Sequence, residues 1–377
     1  MNARNETMRS IFFIIAVVLV STIIVYLPFL THSLHLLGYN VEEKGMSYIY
    51  QNFDGVLYIV PAKTWYVPKA IANLRLELPL PQEYYAAHLP VYPLFIALMA
   101  PITGYLQAMI GVNILFTMVA VVVLFLLLKQ FKLTKNPLIL SVLFLFLPRL
   151  LVLRTVGAPE MLFLAAILGS VYFFEKNQLL LASILGAIAA ATKTPGVLLF
   201  VAYGMVFVEQ MIIKKTFSWR WFSILLIPLG LLATFYFYQQ QMGDFWAYFH
   251  TGGVVPMPYP FSVFNSEARW VGTIWLEEII LYFFIYGFAV ISLKDTQHRS
   301  IFYFPLVFLI ASAFVQHRDL SRYMVPLWPF ALIAFERTMT SKKFLIIALL
   351  LLPAIYLYAW NFLLSNTLPI SDWSAFL

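Results

Sequence analysis

Residues 10–30 read SIFFIIAVVLVSTIIVYLPFL, an unbroken apolar run long enough to cross a bilayer core, which takes about 20 residues of helix. Arg4 and Arg9 precede it and no small-residue cleavage pattern follows, so it reads as a signal anchor and not as a cleaved signal. About ten further runs of this kind follow, near 106–128, 137–153, 161–174, 178–191, 197–213, 221–238, 271–293, 301–315, 323–335 and 344–364. Composition agrees: 62% of residues are hydrophobic and 11% charged, against about a quarter charged in soluble domains, and the mean hydropathy is +0.85. The expected fold class is all-α, a polytopic transmembrane bundle of about 11 helices. Residues 1–377 form a single transmembrane domain in this reading, with a long first outer loop, about 31–90, carrying short juxtamembrane helices and no soluble domain after the last span.

The basic residues set the orientation. With the N-terminus in the cytoplasm, alternate connections hold Lys129, Lys132 and Lys135; Lys176; Lys214, Lys215 and Arg220; Lys294 and Arg299; Arg337, Lys342 and Lys343. Positive charge then falls on the inner side at each crossing. This accounts for the net charge of +7 without nucleic acid, whose binding needs a basic soluble face. The run at 91–104, interrupted by Pro93, Pro101 and Gly104, would reverse every later loop if it crossed, so it is expected to be juxtamembrane or re-entrant on the outer side. The absence of cysteine excludes disulfides, thiol nucleophiles and cysteine-based zinc sites, and leaves the redox compartment undetermined.

In that topology the outer face collects acids and bases from several loops. The first loop supplies Glu42, Glu43, Asp54, Lys63, Lys69, Arg75, Glu77, Glu83 and His88. The second supplies Arg154 and Glu160, the third Lys193, the fourth Asp244, His250, Glu267 and Arg269, and the fifth His317, Arg318, Asp319 and Arg322. Asp54, Tyr58 and Ala62 are spaced to share one face of a short helix, with Pro61 disturbing it. Such a set suits group transfer from a phosphate-bearing lipid. An acceptor hydroxyl needs a carboxylate to take its proton, and a phosphate leaving group needs fixed cations at the bilayer surface. Asp54 is the candidate base, and Lys193, Arg318 and Arg322 are the candidate cations. Each has an ordinary reading too: a loop aspartate solvated or capping, arginines snorkelling to headgroups, and Glu160 paired with Arg154. His250 and His317 stand alone, without the spacing of a zinc site. The 35 Phe and 22 Tyr are expected mainly in lipid-facing and interfacial packing.

At these same residues the chain resembles the GT-C superfamily of integral-membrane glycosyltransferases, in particular its mannosyltransferase-like branch related to GPI-pathway enzymes. Phe53-Asp54-Gly55 with Tyr58 and Ala62 is similar to that branch's tryptophan-aspartate-alanine segment with its following tyrosine and alanine, Phe53 standing for the tryptophan. Leu89-Pro90-Val91-Tyr92-Pro93-Leu94 resembles its proline-leucine-tyrosine-proline-leucine stretch. Ala158-Pro159-Glu160-Met161-Leu162-Phe163 is similar to its serine-glutamate-serine-leucine-phenylalanine element with the acid kept. Ala191-Thr192-Lys193-Thr194-Pro195-Gly196 resembles its basic residue followed by proline, threonine and glycine. Gly243-Asp244-Phe245 through His250 looks like its glycine-aspartate segment with a downstream histidine, and Ser321-Arg322-Tyr323-Met324-Val325-Pro326 resembles its arginine-tyrosine element. These elements occur in order over roughly residues 50–330.

The resemblance implies a multi-pass glycosyltransferase, active on the outer or lumenal face, that moves a mannosyl or related hexose or pentose unit from a polyprenyl-phosphate donor to a lipid-linked, glycan or protein hydroxyl acceptor. By position it implies Asp54 as base, Glu160 as a second acid orienting acceptor or metal, and Lys193 and Arg322 at the donor phosphate, where Arg318 remains a candidate cation by residue type. Tyr58, His88, Asp244 and His250 are the candidate acceptor and sugar pocket. Dependence on Mg or Mn is left open, as is the identity of sugar and acceptor. A transporter or flippase, needing charges inside the spans and internal repeats, and a non-catalytic scaffold are the rival classes.

Overall fold

The computed structural model describes residues 3–32, 41, 44–78, 80–215, 217–251, 254–268 and 276–377. Glu42, Glu43, Arg269 and the first part of the span expected at 271–293 lie outside these. The described chain is all-α: its one β-type pairing is an isolated bridge between Asn52 and Thr367.

Among the described residues five helices are long and apolar enough to cross a membrane: Arg4–Thr31, Tyr105–Gln130, Thr194–Ile213, Trp219–Met242 and Lys342–Ser365. Glu160–Glu175, Leu179–Thr192, Glu277–Ser292 and Arg299–Ser312 occupy other expected spans as shorter helices. The expected span at 137–153 is two helices, Pro137–Leu145 and Pro148–Leu153. Pro148 donates no backbone hydrogen bond, and it holds Leu147 extended at φ −60 and ψ 128, which ends the first helix. The expected span at 323–335 is likewise broken into Leu320–Tyr323, Val325–Leu327 and Trp328–Ala334, with Pro326 and Pro329 at the joints. Residues 91–104 form the 13-residue helix Val91–Thr103, ending at Gly104 with φ +82. At 1.5 Å per residue it is about 20 Å long, short of the roughly 30 Å hydrocarbon thickness.

Helix Tyr105–Gln130 packs on Glu160–Glu175, which packs on Leu179–Thr192, which packs on Leu226–Met242. Leu198–Lys214 lies on Arg299–Ser312, and Lys342–Ser365 lies on Pro148–Leu153 and the first helix. The last helix turns Leu349 and Leu350 outward, 69% and 73% exposed, while Tyr356, Ala359 and Leu363 face inward. Apolar side chains stay exposed on a helix only where lipid takes the place of water, and the chain is an integral membrane protein.

Polar contacts tie the helix ends at one end of the bundle. Lys129 donates to Thr7 at 2.6 Å, Thr134 to Glu336 at 3.0 Å, and Glu209 pairs with Arg299 at 2.8 Å. Glu175 joins them by pairing with His298 at 2.9 Å. These belong to the lysine- and arginine-rich connections.

Arg154 departs from expectation. It is wholly buried and donates to Thr22 Oγ1 at 2.9 Å, Ser21 Oγ at 2.8 Å and the Leu145 carbonyl at 3.3 Å. The ordinary reading of Glu160 as a partner of Arg154 is not what forms, because the guanidinium anchors the middle of the first helix. A buried guanidinium needs its donors matched, and hydroxyls and a carbonyl do this here.

Candidate active site

Asp54 precedes the 3₁₀ turn Gly55–Tyr58, which runs directly into helix Ile59–Thr64. The 3₁₀ turn advances three residues per turn, so the helical register expected for Asp54, Tyr58 and Ala62 is not kept. Asp54 and Tyr58 line a cavity of about 360 Å³, whereas Ala62 is 2% exposed within the apolar core. Pro61 is accommodated in the first turn of its helix, where a backbone N–H has no intrahelical partner.

Glu160 opens the helix Glu160–Glu175, where a carboxylate also meets the positive end of the helix dipole. The preceding loop is held by Asn113, whose side-chain amide donates to the carbonyls of Leu153 at 2.7 Å and Val156 at 2.6 Å. Glycines let the Asp54 and Glu160 loops touch. A Cβ on Gly55 would lie 2.9 Å from the Gly157 carbonyl oxygen, and one on Gly157 would lie 2.4 Å from the Met109 sulfur.

Lys193 follows helix Leu179–Thr192 in extended backbone, φ −148 and ψ 134, and Arg322 sits on the short helix Leu320–Tyr323. Both reach the same oxygen of Glu160: Lys193 Nζ donates to Oε1 at 2.8 Å and Arg322 Nε at 2.7 Å. The Glu160 side chain is 4% exposed. Arg322 also lies over the Phe53 ring, 4.2 Å from its centroid, and Lys193 over Tyr323 at 5.2 Å. Burial pulls the Lys193 ammonium below the usual lysine range, with Glu160 opposing it.

Asp54, Lys193 and Arg322 face one cavity together with Tyr58, Tyr84, His88, Tyr248 and Tyr323. Among the described residues the Asp54 carboxylate makes no hydrogen bond or ion pair, so its oxygens are left for whatever enters. The His88 ring meets the Tyr58 ring edge-on at 4.6 Å, and its Nδ1 is buried without a hydrogen-bond partner. Burial lowers the His88 pKa to about 4, so the ring is neutral at physiological pH.

Three expected site residues lie elsewhere. Asp244 and His250 pair with each other at 2.7 Å at the surface, the histidine side chain 62% exposed, and neither lines the cavity. Arg318 is exposed and also outside the lining. Neighbouring Tyr248, which is buried, and Phe249, which is exposed, line the cavity where His250 does not. The sequence alone assigns the aromatics to packing, which leaves out Tyr84 and Tyr248, while Tyr323 enters only within the arginine-tyrosine element. For Tyr323 its place beside Arg322 was a usable signal; for the others none was available.

Among the described residues the two acids do not form a metal-binding group. One Glu160 oxygen already accepts from two cations, which would repel a metal, and among the described residues no three acidic or histidine side chains converge. A larger cavity, about 840 Å³, lies between helix Leu198–Lys214 and the turn Trp219–Leu225. Its walls are apolar and its one acid, Glu209, is bound to Arg299, so it carries no comparable chemistry.

No family model matches the chain, and no curated protein does. Solved structures do. ArnT from Cupriavidus metallidurans bound to undecaprenyl phosphate superposes with a TM-score of 0.57 at 11% identity, over 90% of this chain and 62% of that one. Its apo form gives 0.52 at 12% identity, over 84% and 72%. An Archaeoglobus fulgidus oligosaccharyltransferase tethered to an acceptor peptide gives 0.51 at 13% identity, over 96% of this chain and 56% of that one. The chain thus spans about three fifths of the length of the ligand-bound ArnT. It is an all-helical membrane protein that shares the fold of these structures.

Proposed function

We propose that the protein is a GT-C glycosyltransferase that moves a sugar from a polyprenyl-phosphate donor to a hydroxyl acceptor with inversion. The observation that carries this reading is the convergence, in one cavity of a GT-C fold, of an uncommitted carboxylate, Asp54, with two fixed cations, Lys193 and Arg322. That the superposed ArnT holds undecaprenyl phosphate supports a lipid-linked donor. The donor phosphate lies against Lys193 and Arg322, with its isoprenoid chain between helices. The acceptor hydroxyl attacks the anomeric carbon as the carbon–phosphate-oxygen bond breaks, and Asp54 takes the hydroxyl proton. The polyprenyl phosphate leaves with its added negative charge held by the two cations. Glu160 acts through them, holding both heads in place. Tyr58 and the neutral His88 offer hydrogen bonds to sugar hydroxyls, and a mannosyl or related hexose or pentose unit is the sugar class favoured by the motif order. With the basic connections in the cytoplasm, the cavity opens to the outer or lumenal side.

The test is donor consumption by the purified chain given polyprenyl-phosphate sugars and mixed hydroxyl acceptors, wild type beside Asp54→Asn. Turnover by the wild type alone, with the product's anomeric configuration inverted, is the expected result. Equal turnover in both, or retention of configuration, would overturn the mechanism.

A further inference from the structure

Phe53, the residue before Asp54, has left-handed backbone with φ +49, a conformation costing a residue with a side chain about 1–2 kcal/mol. Something must hold it there. Its N–H donates to the Asn366 carbonyl at 3.3 Å, and its ring packs on Phe362 of the last helix, centroids 5.2 Å apart. Phe362 in turn lies under the Arg149 guanidinium, 4.9 Å away. Arg149 then binds Asp319 at 2.8 Å and Ser321 at 3.0 Å. The Asp319 backbone carbonyl accepts the Arg322 N–H at 2.9 Å, and the Arg322 guanidinium returns to the Phe53 ring at 4.2 Å.

These contacts close a circuit: Phe53, Phe362, Arg149, Asp319 with Ser321, Arg322, and Phe53 again. It joins the proposed base to a proposed phosphate cation through residues outside the cavity lining. We infer that Phe362 and Arg149 are positioning residues, fixing where Asp54 stands relative to Arg322. The inference deepens the glycosyl-transfer reading and rests on its use of Asp54 and Arg322. Phe362 is the junction, since it alone touches both Phe53 and Arg149 in the circuit. Without its ring, Phe53 loses the aromatic pair that offsets its left-handed backbone, and Arg149 loses the surface on which its guanidinium lies.

The chain contains no cysteine, so a single introduced thiol reports local position without any turnover. Asp54→Cys and, as a reference on the same cavity, Thr194→Cys are each labelled with a small thiol reagent, alone and together with Phe362→Ala or Phe362→Tyr. Loss of the ring should speed labelling at position 54 by about tenfold, the factor corresponding to about 1.4 kcal/mol, the scale of a lost aromatic and cation–π contact. Position 194 should be unchanged, and Phe362→Tyr should restore the slow rate. Should Phe362→Ala fail to fold, Arg149→Met is read in the same way. An unchanged rate at 54, or equal acceleration at both positions, overturns the inference. In chains retaining Asp54, Phe362→Ala should lower kcat with KM nearly unchanged. A failure of glycosyl transfer in the wild type would count against the proposed function alone, because the labelling rates stand without it.

Discussion

Glu160 Oε1 and Arg322 Nε lie 2.7 Å apart although 162 positions separate the two residues in the chain. The same oxygen accepts from Lys193, 33 positions away. One carboxylate therefore sets the place of both cations, and its loss acts on both at once. Removing one member of a buried ionic cluster typically costs about 3–5 kcal/mol because the remaining charges are left uncompensated. Glu160→Gln is expected to lower thermal stability in detergent by an amount of that order, and Asp54→Asn by far less. Parallel unfolding curves of the two variants check this; equal losses would mean that Glu160 is not the organiser.

Asp54→Asn removes the proposed proton acceptor while keeping shape. General-base catalysis contributes about 10²- to 10⁴-fold, and single-turnover donor consumption should fall by a factor in that range. His250→Ala and Arg318→Ala, outside the cavity, should stay within a few-fold of the wild type in the same assay.

On the acid side of the stability profile His317, whose pKa burial also lowers, acts alongside His88. The His88 pKa is about 4 in the folded chain against 6.5 ordinarily, so the unfolded chain binds the proton more readily. Stability from keeping the ring neutral is complete above about pH 6.5 and drains away as pH falls toward about 4. His88→Gln should flatten that limb, measured as the unfolding temperature between pH 7 and 4.5. An unchanged slope would show that another group sets it.

How much of this was legible in the sequence depends on the range of the forces involved. Apolar runs act locally and marked where helices lie, but the single spans expected at 137–153 and 323–335 are broken at prolines, so their internal ends were not read. The acid at 160 and the cations at 193 and 322 were visible as residue types at loop positions. Their convergence on one oxygen was not, because it depends on three helices packing side by side. Arg154 and Glu160, six positions apart, looked like natural partners. The first helix outbid Glu160 with Ser21 and Thr22, and nothing in the local sequence around Arg154 signals that. Asp244 and His250 show the reverse error, since a loop that satisfies its own charges has no need of the cavity.

The close approach of Gly55 and Gly157 gives a sharper test of packing. Gly157→Ala would drive a methyl carbon to within 2.4 Å of the Met109 sulfur, and overpacking of this kind costs about 1–3 kcal/mol. Combined with Met109→Ala, the same substitution should cost less than alone, a non-additivity of about 0.5–3 kcal/mol. Simple additivity in thermal unfolding would place the strain elsewhere.

The segment carrying Asp54 leans on residues from the far end of the chain. Asn52 donates to the Leu363 carbonyl at 2.7 Å, Leu368 to the Gln51 carbonyl at 2.9 Å, and Gln51 to the Ile370 carbonyl at 3.0 Å. During biosynthesis those partners emerge from the ribosome more than 300 positions after Asp54. A nascent chain that has already inserted its earlier helices still lacks the braces that seat its carboxylate. Seating of the Asp54 segment is thus coupled to the docking of helix Lys342–Ser365 and the residues after it.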